Sequence, residues 1–166
     1  VFPSRRSDDM RLEQTEKLGA LYDAARSVGR EVLIEIIAGK NGPMEADTVP
    51  RVLTELYSAG IKPDWWKLEP QADAGAWALI DETIKVNDPW CRGVVLLGLD
   101  APADALEAAF KATAGSASVK GFAVGRTIFA GAAEKWLAGE MDDSEAVADM
   151  AERFGALVDA WEAREQ

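Results

Sequence analysis

Histidine is missing from this chain altogether, and cysteine occurs once, as Cys91. The first absence removes the usual zinc ligand sets and every histidine-based catalytic triad; the second excludes an internal disulfide. Acid–base or nucleophilic chemistry is left to lysine, carboxylates, tyrosine or one thiol. With no imidazole to activate it, Cys91 reads as inert filling beside a buried strand. Basic residues are scarce as well. Eighteen stand against 29 acidic ones, giving a net charge of −11 and a pI near 4.5. Such a surface repels nucleic acid and anionic membrane, although a few local arginines can still hold a small anion. No apolar run approaches the roughly 20 residues that span a bilayer, and the start resembles no signal peptide. A cytoplasmic protein is expected. The chain opens on Val1 rather than methionine, which reads as an excised piece.

What is present is enough for one domain: 166 residues, 48% of them hydrophobic. The organising stretch is Ile61-Lys62-Pro63-Asp64-Trp65-Trp66-Lys67-Leu68-Glu69-Pro70. It sets a lysine and a glutamate within an aromatic and apolar run closed by prolines. If it is extended, Trp65, Lys67 and Glu69 share one face while Asp64, Trp66 and Leu68 share the other. Enclosed charges of that kind are either paired or functional.

The remaining chain alternates in the same manner. Val1-Phe2-Pro3 reads as the end of a strand and Ser4 to Asp9 as a loop, followed by a helix over 10–28 with apolar Leu12, Leu18, Leu21, Tyr22, Ala25 and Val28. A β-branched strand covers 31–37, with Glu35 its one interior charge. A Gly-Lys-Asn-Gly-Pro loop (39–43) leads to a helix over 47–59, stopped by Gly60. After the Trp-rich strand come a loop over 71–75, a helix over 77–86, a continuous apolar strand over 92–99, and a helix from Asp100 to about Thr113. A last strand over 119–126 precedes two helices, 128–137 and 144–163. Strands starting near 32, 61, 93 and 119 recur about every 30 residues, the spacing of βα repeats in a parallel sheet. No G-x-G-x-x-G nucleotide turn is present. Charged Glu35, Lys67, Glu69 and Arg126 instead fall at predicted strand C-termini, as in a (β/α)8 barrel. Four units make only the second half of such a barrel, strands five to eight, in one α/β domain over 1–166. Two strand edges are then unpaired, so either a preceding half-barrel is absent or copies assemble into a homo-oligomer.

Lys67 is the first candidate for chemistry. A desolvated or crowded lysine loses its proton readily and can condense with a carbonyl to form a Schiff base. Glu35, one strand earlier on the same face, can shuttle the protons of that condensation. A structural ion pair between the two demands the same geometry, and the pattern alone leaves both readings open. Glu69 duplicates Glu35 more weakly. Gly98 and the Gly125-Arg126-Thr127 group end the third and fourth strands, where barrel loops and a helix N-terminus cradle phosphate; the other reading of these glycines is tight turns. Arg5 and Arg6 are auxiliary anion contacts or a solvated pair, and Trp136 and Trp161 are assigned to packing.

Leu33 to Ile37, Ile61 to Pro70, Arg92 to Pro102 and Lys120 to Phe129 together resemble the aldolase-type domain joined to the 5-dehydro-2-deoxygluconokinase of myo-inositol catabolism, from about Val1 to the end. That domain is similar to class I aldolases such as tagatose 1,6-bisphosphate aldolase. The resemblance implies a TIM barrel with Lys67 as Schiff-base lysine, Glu35 as its acid, and Gly98, Gly125 and Arg126 as phosphate contacts, without metal or cofactor. It implies cleavage of 5-dehydro-2-deoxygluconate 6-phosphate, a small phosphorylated sugar acid, to dihydroxyacetone phosphate and malonate semialdehyde. The kinase domain and strands one to four, with an acidic residue and a lysine that such aldolases carry there, are not in this sequence. A fragment without them is expected to be inactive. The alternative of another class is a phosphosugar-binding or regulatory barrel serving the kinase, and a metal-dependent aldolase is disfavoured by the missing histidines.

Overall fold

The computed structural model describes residues 5–39, 42–98 and 101–165, with side chains from residue 9 onward. Helices and parallel strands alternate: α1 (Arg5–Ser27), β1 (Leu33–Ile36), α2 (Thr48–Ser58), β2 (Trp65–Leu68), α3 (Ala74–Asn87), β3 (Gly93–Leu97), α4 (Ala103–Ala112), β4 (Val119–Ala123), α5 (Arg126–Leu137) and α6 (Asp143–Glu162). The strands form one sheet in the order β1-β2-β3-β4, every pairing parallel. Strictly sequential winding by right-handed crossovers sends every connecting helix to the same side of the sheet. Burial agrees. Ile34, Trp66, Leu68, Val94 and Leu96 join Leu53, Trp77, Ile80, Leu106 and Phe110 of the helices in a single core. Leu33, Glu35, Trp65, Lys67 and Val95 lie on the other face, and none of them is buried.

The β1–β2–β3 rungs place Glu35 opposite Lys67 and Lys67 opposite Val95. Between β3 and β4 the register slips after Val94, which pairs with Val119 while Val95 pairs with Gly121. Lys120 is the extra residue of this bulge. Gly93 makes room for it: at φ 145°, a Cβ there would sit 2.5 Å from Lys120 Cγ and 2.6 Å from the Ser118 carbonyl oxygen.

Several boundaries differ from those expected. The polar 5–9 segment is helical rather than a loop; no proline or glycine interrupts it. Leu12, Leu21 and Val28, counted toward the buried face of that helix, are exposed, whereas Leu18, Tyr22 and Ala25 pack on the core. α3 starts three residues early because Asp73 caps it, accepting from the Ala76 amide at 3.0 Å. β4 stops at Ala123 and Arg126 opens α5, since the Gly125 carbonyl already accepts the amides of Ile128 and Phe129 at 2.8 and 3.1 Å. The expected strand end at Val1–Pro3, the side chains of Arg5 and Arg6, and the strand and helix ends at Leu99 and Asp100 lie outside the described residues.

Packing assignments divide. Trp161 sits edge-on to Phe110, ring centres 5.5 Å apart, as expected. Trp136 is half exposed and donates its indole N–H to Asp143 at 2.7 Å. A clamp not expected from the sequence joins α3 to β4. Asp81 accepts from Ser116 Oγ at 2.8 Å and from the Ala117 and Ser118 amides at 2.9 and 3.2 Å; Ser118 Oγ donates to it as well. Losing a half-buried carboxylate with several donors is expected to cost about 2 kcal/mol. In urea titrations Asp81→Ala should therefore lower the midpoint clearly and Asp81→Asn less so; equal midpoints for all three proteins would show the clamp to be energetically idle.

Candidate functional site

The C-terminal ends of the four strands open on a cavity of about 430 Å³, within the size range that holds a small ligand. Glu35 and Ile37 reach it from β1 and the residues after it, Lys67 from β2, Leu97 and Gly98 from β3, and the 123–127 segment with Phe129 from β4 and α5. The walls at the α5 end are backbone-rich. Gly98 allows that close approach, because a Cβ there would lie 2.7 Å from Val124 Cγ1. Thr127 Oγ1 donates to the Ala101 carbonyl at 3.1 Å, tying the segment after β3 to the start of α5.

At the sheet end of the cavity Lys67 Nζ lies 2.9 Å from Glu35 Oε1, with the lysine side chain 26% and the glutamate 40% exposed. A contact of that length passes a proton directly between amine and carboxylate. The opposite end is the N-terminus of α5, whose first amides have no partner within the helix. Gly125 caps it without a side-chain bond, and Arg126 adds its charge at the first helical position. Amides, helix dipole and guanidinium together favour an anion there.

Five of the six residues singled out in the sequence thus border one cavity: Glu35, Lys67, Gly98, Gly125 and Arg126. Glu69 does not. It is 4% exposed, and its Oε2 accepts the amides of Ala38 at 2.6 Å and Gly39 at 2.9 Å. The strand alternation that put Glu69 beside Lys67 ends at Leu68; beyond the last rung the side chain swings sideways to the chain leaving β1. Thr127, grouped with Gly125 and Arg126 in the sequence, lines the cavity as well, whereas Phe129, one turn into α5, also lines it and was missed.

From residue 2 to residue 165 the sequence matches a family described as an uncharacterized protein conserved in bacteria (DUF2090). The chain belongs to this family. No curated protein matches it. The match spans the whole cavity, and the family description carries no activity.

Cys91 stays outside that chemistry. Its thiol contacts the Asp64 and Gly93 carbonyls at 3.7 and 3.8 Å. Burial, with the nearby Asp88 and Asp64 charges, pushes it up to about 11, so it is a neutral thiol at ordinary pH. Among the described residues no group of three Cys, Asp or Glu side chains could hold a metal ion, and no helix is long and apolar enough to cross a membrane.

Proposed function

We propose that this chain is the second half of a class I aldolase barrel and that Lys67 forms a Schiff base with a phosphorylated keto sugar acid. The observation that carries the reading is the cavity itself: an amine–carboxylate pair at 2.9 Å lines the same space as a glycine-rich helix N-terminus with an arginine. A ketone on one side and a phosphate on the other match those two ends. Sequential parallel winding, helices on one side and two edge strands support the half-barrel, with strands one to four supplied by a longer parent or by a second copy.

The chemistry balances with the two side chains alone. Glu35 takes the Lys67 ammonium proton; the freed amine adds to the ketone, and Glu35 passes protons from nitrogen to oxygen and on to the departing water. The iminium that remains is positive and Glu35 is again a carboxylate. It then removes the proton of the β-hydroxyl, the C–C bond breaks toward the iminium, and an enamine and an aldehyde result. Protonation of the enamine by Glu35 and hydrolysis release the second product. For 5-dehydro-2-deoxygluconate 6-phosphate the products are dihydroxyacetone phosphate and malonate semialdehyde, which is the activity the resemblance to the inositol-catabolic domain implies. The scheme calls on no metal or cofactor.

Borohydride trapping tests it. Protein carrying both halves of the barrel, incubated with dihydroxyacetone phosphate and reduced, is expected to yield one peptide adduct, on Lys67. An unmodified Lys67 peptide, or an adduct on another lysine, removes the mechanism.

A further inference from the structure

We propose that Glu69 is a positioning residue that sets the distance between Lys67 and Glu35 by fixing the end of β1 against the end of β2. Its catalytic consequence rests on the Schiff-base reading; the clamp does not. The backbone ladder between the two strands has its last pairing at Ile36 and Leu68, one residue past the Glu35–Lys67 pair. β1 is an edge strand of four residues, so on its outer side no described strand holds it. Past the ladder, the Glu69 carboxylate takes over. Two consecutive amides, Ala38 and Gly39, converge on its Oε2, as successive N–H groups do around an anion. The fit is close: a Cβ on Gly39 would lie 2.9 Å from Glu69 Oε1. The Glu69 carbonyl in turn accepts the Gln71 side-chain amide at 2.7 Å, and Gln71 is buried.

The other end of β1 is held in the same way. Asp64, just before β2, accepts the Val32 amide at 2.8 Å and an Arg26 N–H at 3.2 Å. Partial burial pushes the Asp64 carboxyl up, and these two donors outweigh it, so it titrates below the ordinary carboxylate range. Two carboxylates at the flanks of β2 thereby bracket β1. The one at the cavity end sits where Glu35 must be kept in reach of the amine, and a misplacement of about 1 Å can cost a hundredfold in rate.

The test measures Lys67 itself. Full-length protein is treated with trinitrobenzenesulfonate and the rate of Lys67 labelling is followed by peptide mass. A lysine held against Glu35 labels slowly. Glu35→Gln should raise the rate several-fold, Glu69→Ala should raise it to a similar level, and the double variant should react no faster than Glu35→Gln, because both changes remove the same contact. Glu69→Gln, which keeps one acceptor oxygen, should fall between. In turnover assays Glu69→Gln should lower kcat about tenfold with KM unchanged, since the α5 end is untouched. Circular dichroism checks folding, and if Glu69→Ala does not fold, Glu69→Gln carries the comparison. Wild-type labelling rates in a folded Glu69 variant, or additive effects in the double variant, would overturn the inference. A wild-type protein that gives no borohydride adduct ends the aldolase reading and leaves the labelling result to decide the clamp.

Discussion

Lys67→Ala is expected, under the proposed Schiff-base mechanism, to lower kcat/KM for the keto sugar acid phosphate by roughly a thousandfold or more, because no other group would replace the covalent nucleophile. Binding should survive. Phosphate recognition is assigned to the other end of the cavity, so the same variant should still bind dihydroxyacetone phosphate or inorganic phosphate with little change. Arg126→Ala is the converse. Removing one charged donor should weaken phosphate binding by about tenfold to a hundredfold while borohydride trapping persists at raised ligand concentration. Isothermal titration and single-turnover kinetics on the two variants separate the possibilities. If Lys67→Ala leaves turnover intact, the Schiff base is wrong. If wild type binds phosphosugar with no turnover or adduct and Arg126→Ala abolishes that binding, the domain is a phosphosugar-binding module, and the Lys67–Glu35 contact is a structural ion pair. Losses of binding in both variants would mean that the two ends of the cavity are not independent.

The cavity was legible because its parts follow from position along the chain. Glu35, Lys67, Gly98 and Gly125-Arg126 are separated by roughly 30 residues each, and a parallel βα repeat brings the ends of all four strands to one edge of the sheet. The spacing also foretold the order of elements and the face that packs, since period-two alternation separates Trp66 and Leu68 from Trp65 and Lys67. What alternation cannot describe is where it stops. Glu69 lies one residue beyond β2 and obeys the demand of two unpaired amides instead of the pleat. Arg126 was read as strand because Phe122, Ala123 and Val124 continue an apolar run; the Gly125 turn that starts α5 depends on backbone hydrogen bonds. In α1 a count of apolar residues near a 3.6 period merged two faces, and only the neighbours of Leu18 and Tyr22 decide which one is covered. Asp81 escaped notice for a similar reason: its partners, Ser116 to Ser118, lie some 35 residues away, and no local pattern marks such a contact.

The two adjacent tryptophans should respond oppositely to truncation. Trp66 is fully buried, donates its indole N–H to the Tyr57 hydroxyl at 2.8 Å, and meets that ring edge-on with centres 5.6 Å apart. Burial pushes the Tyr57 hydroxyl further above its ordinary value, so it stays a neutral hydrogen-bonding group at any ordinary pH. Trp66→Ala leaves a large cavity and strips the Tyr57 oxygen of its donor, for an expected loss of about 3–5 kcal/mol. Against a total of about 5–15 kcal/mol for a domain, that removes a large share of the stability. Trp66→Phe keeps most of the volume but still orphans the oxygen, and should fall between. Trp65 is on the uncovered face, half buried, with its indole N–H 3.3 Å from Glu31 Oε2; that carboxylate already pairs with Arg92 at 2.7 Å. Trp65→Ala should cost about 1 kcal/mol or less in this chain. Urea unfolding followed by circular dichroism reads the contrast directly. If the proposed second half-barrel closes over the sheet, Trp65 becomes interior, and its truncation should then approach the cost at Trp66. An unchanged small penalty in protein that carries both proposed halves would mean that this face of the sheet stays open to water and that no barrel is completed.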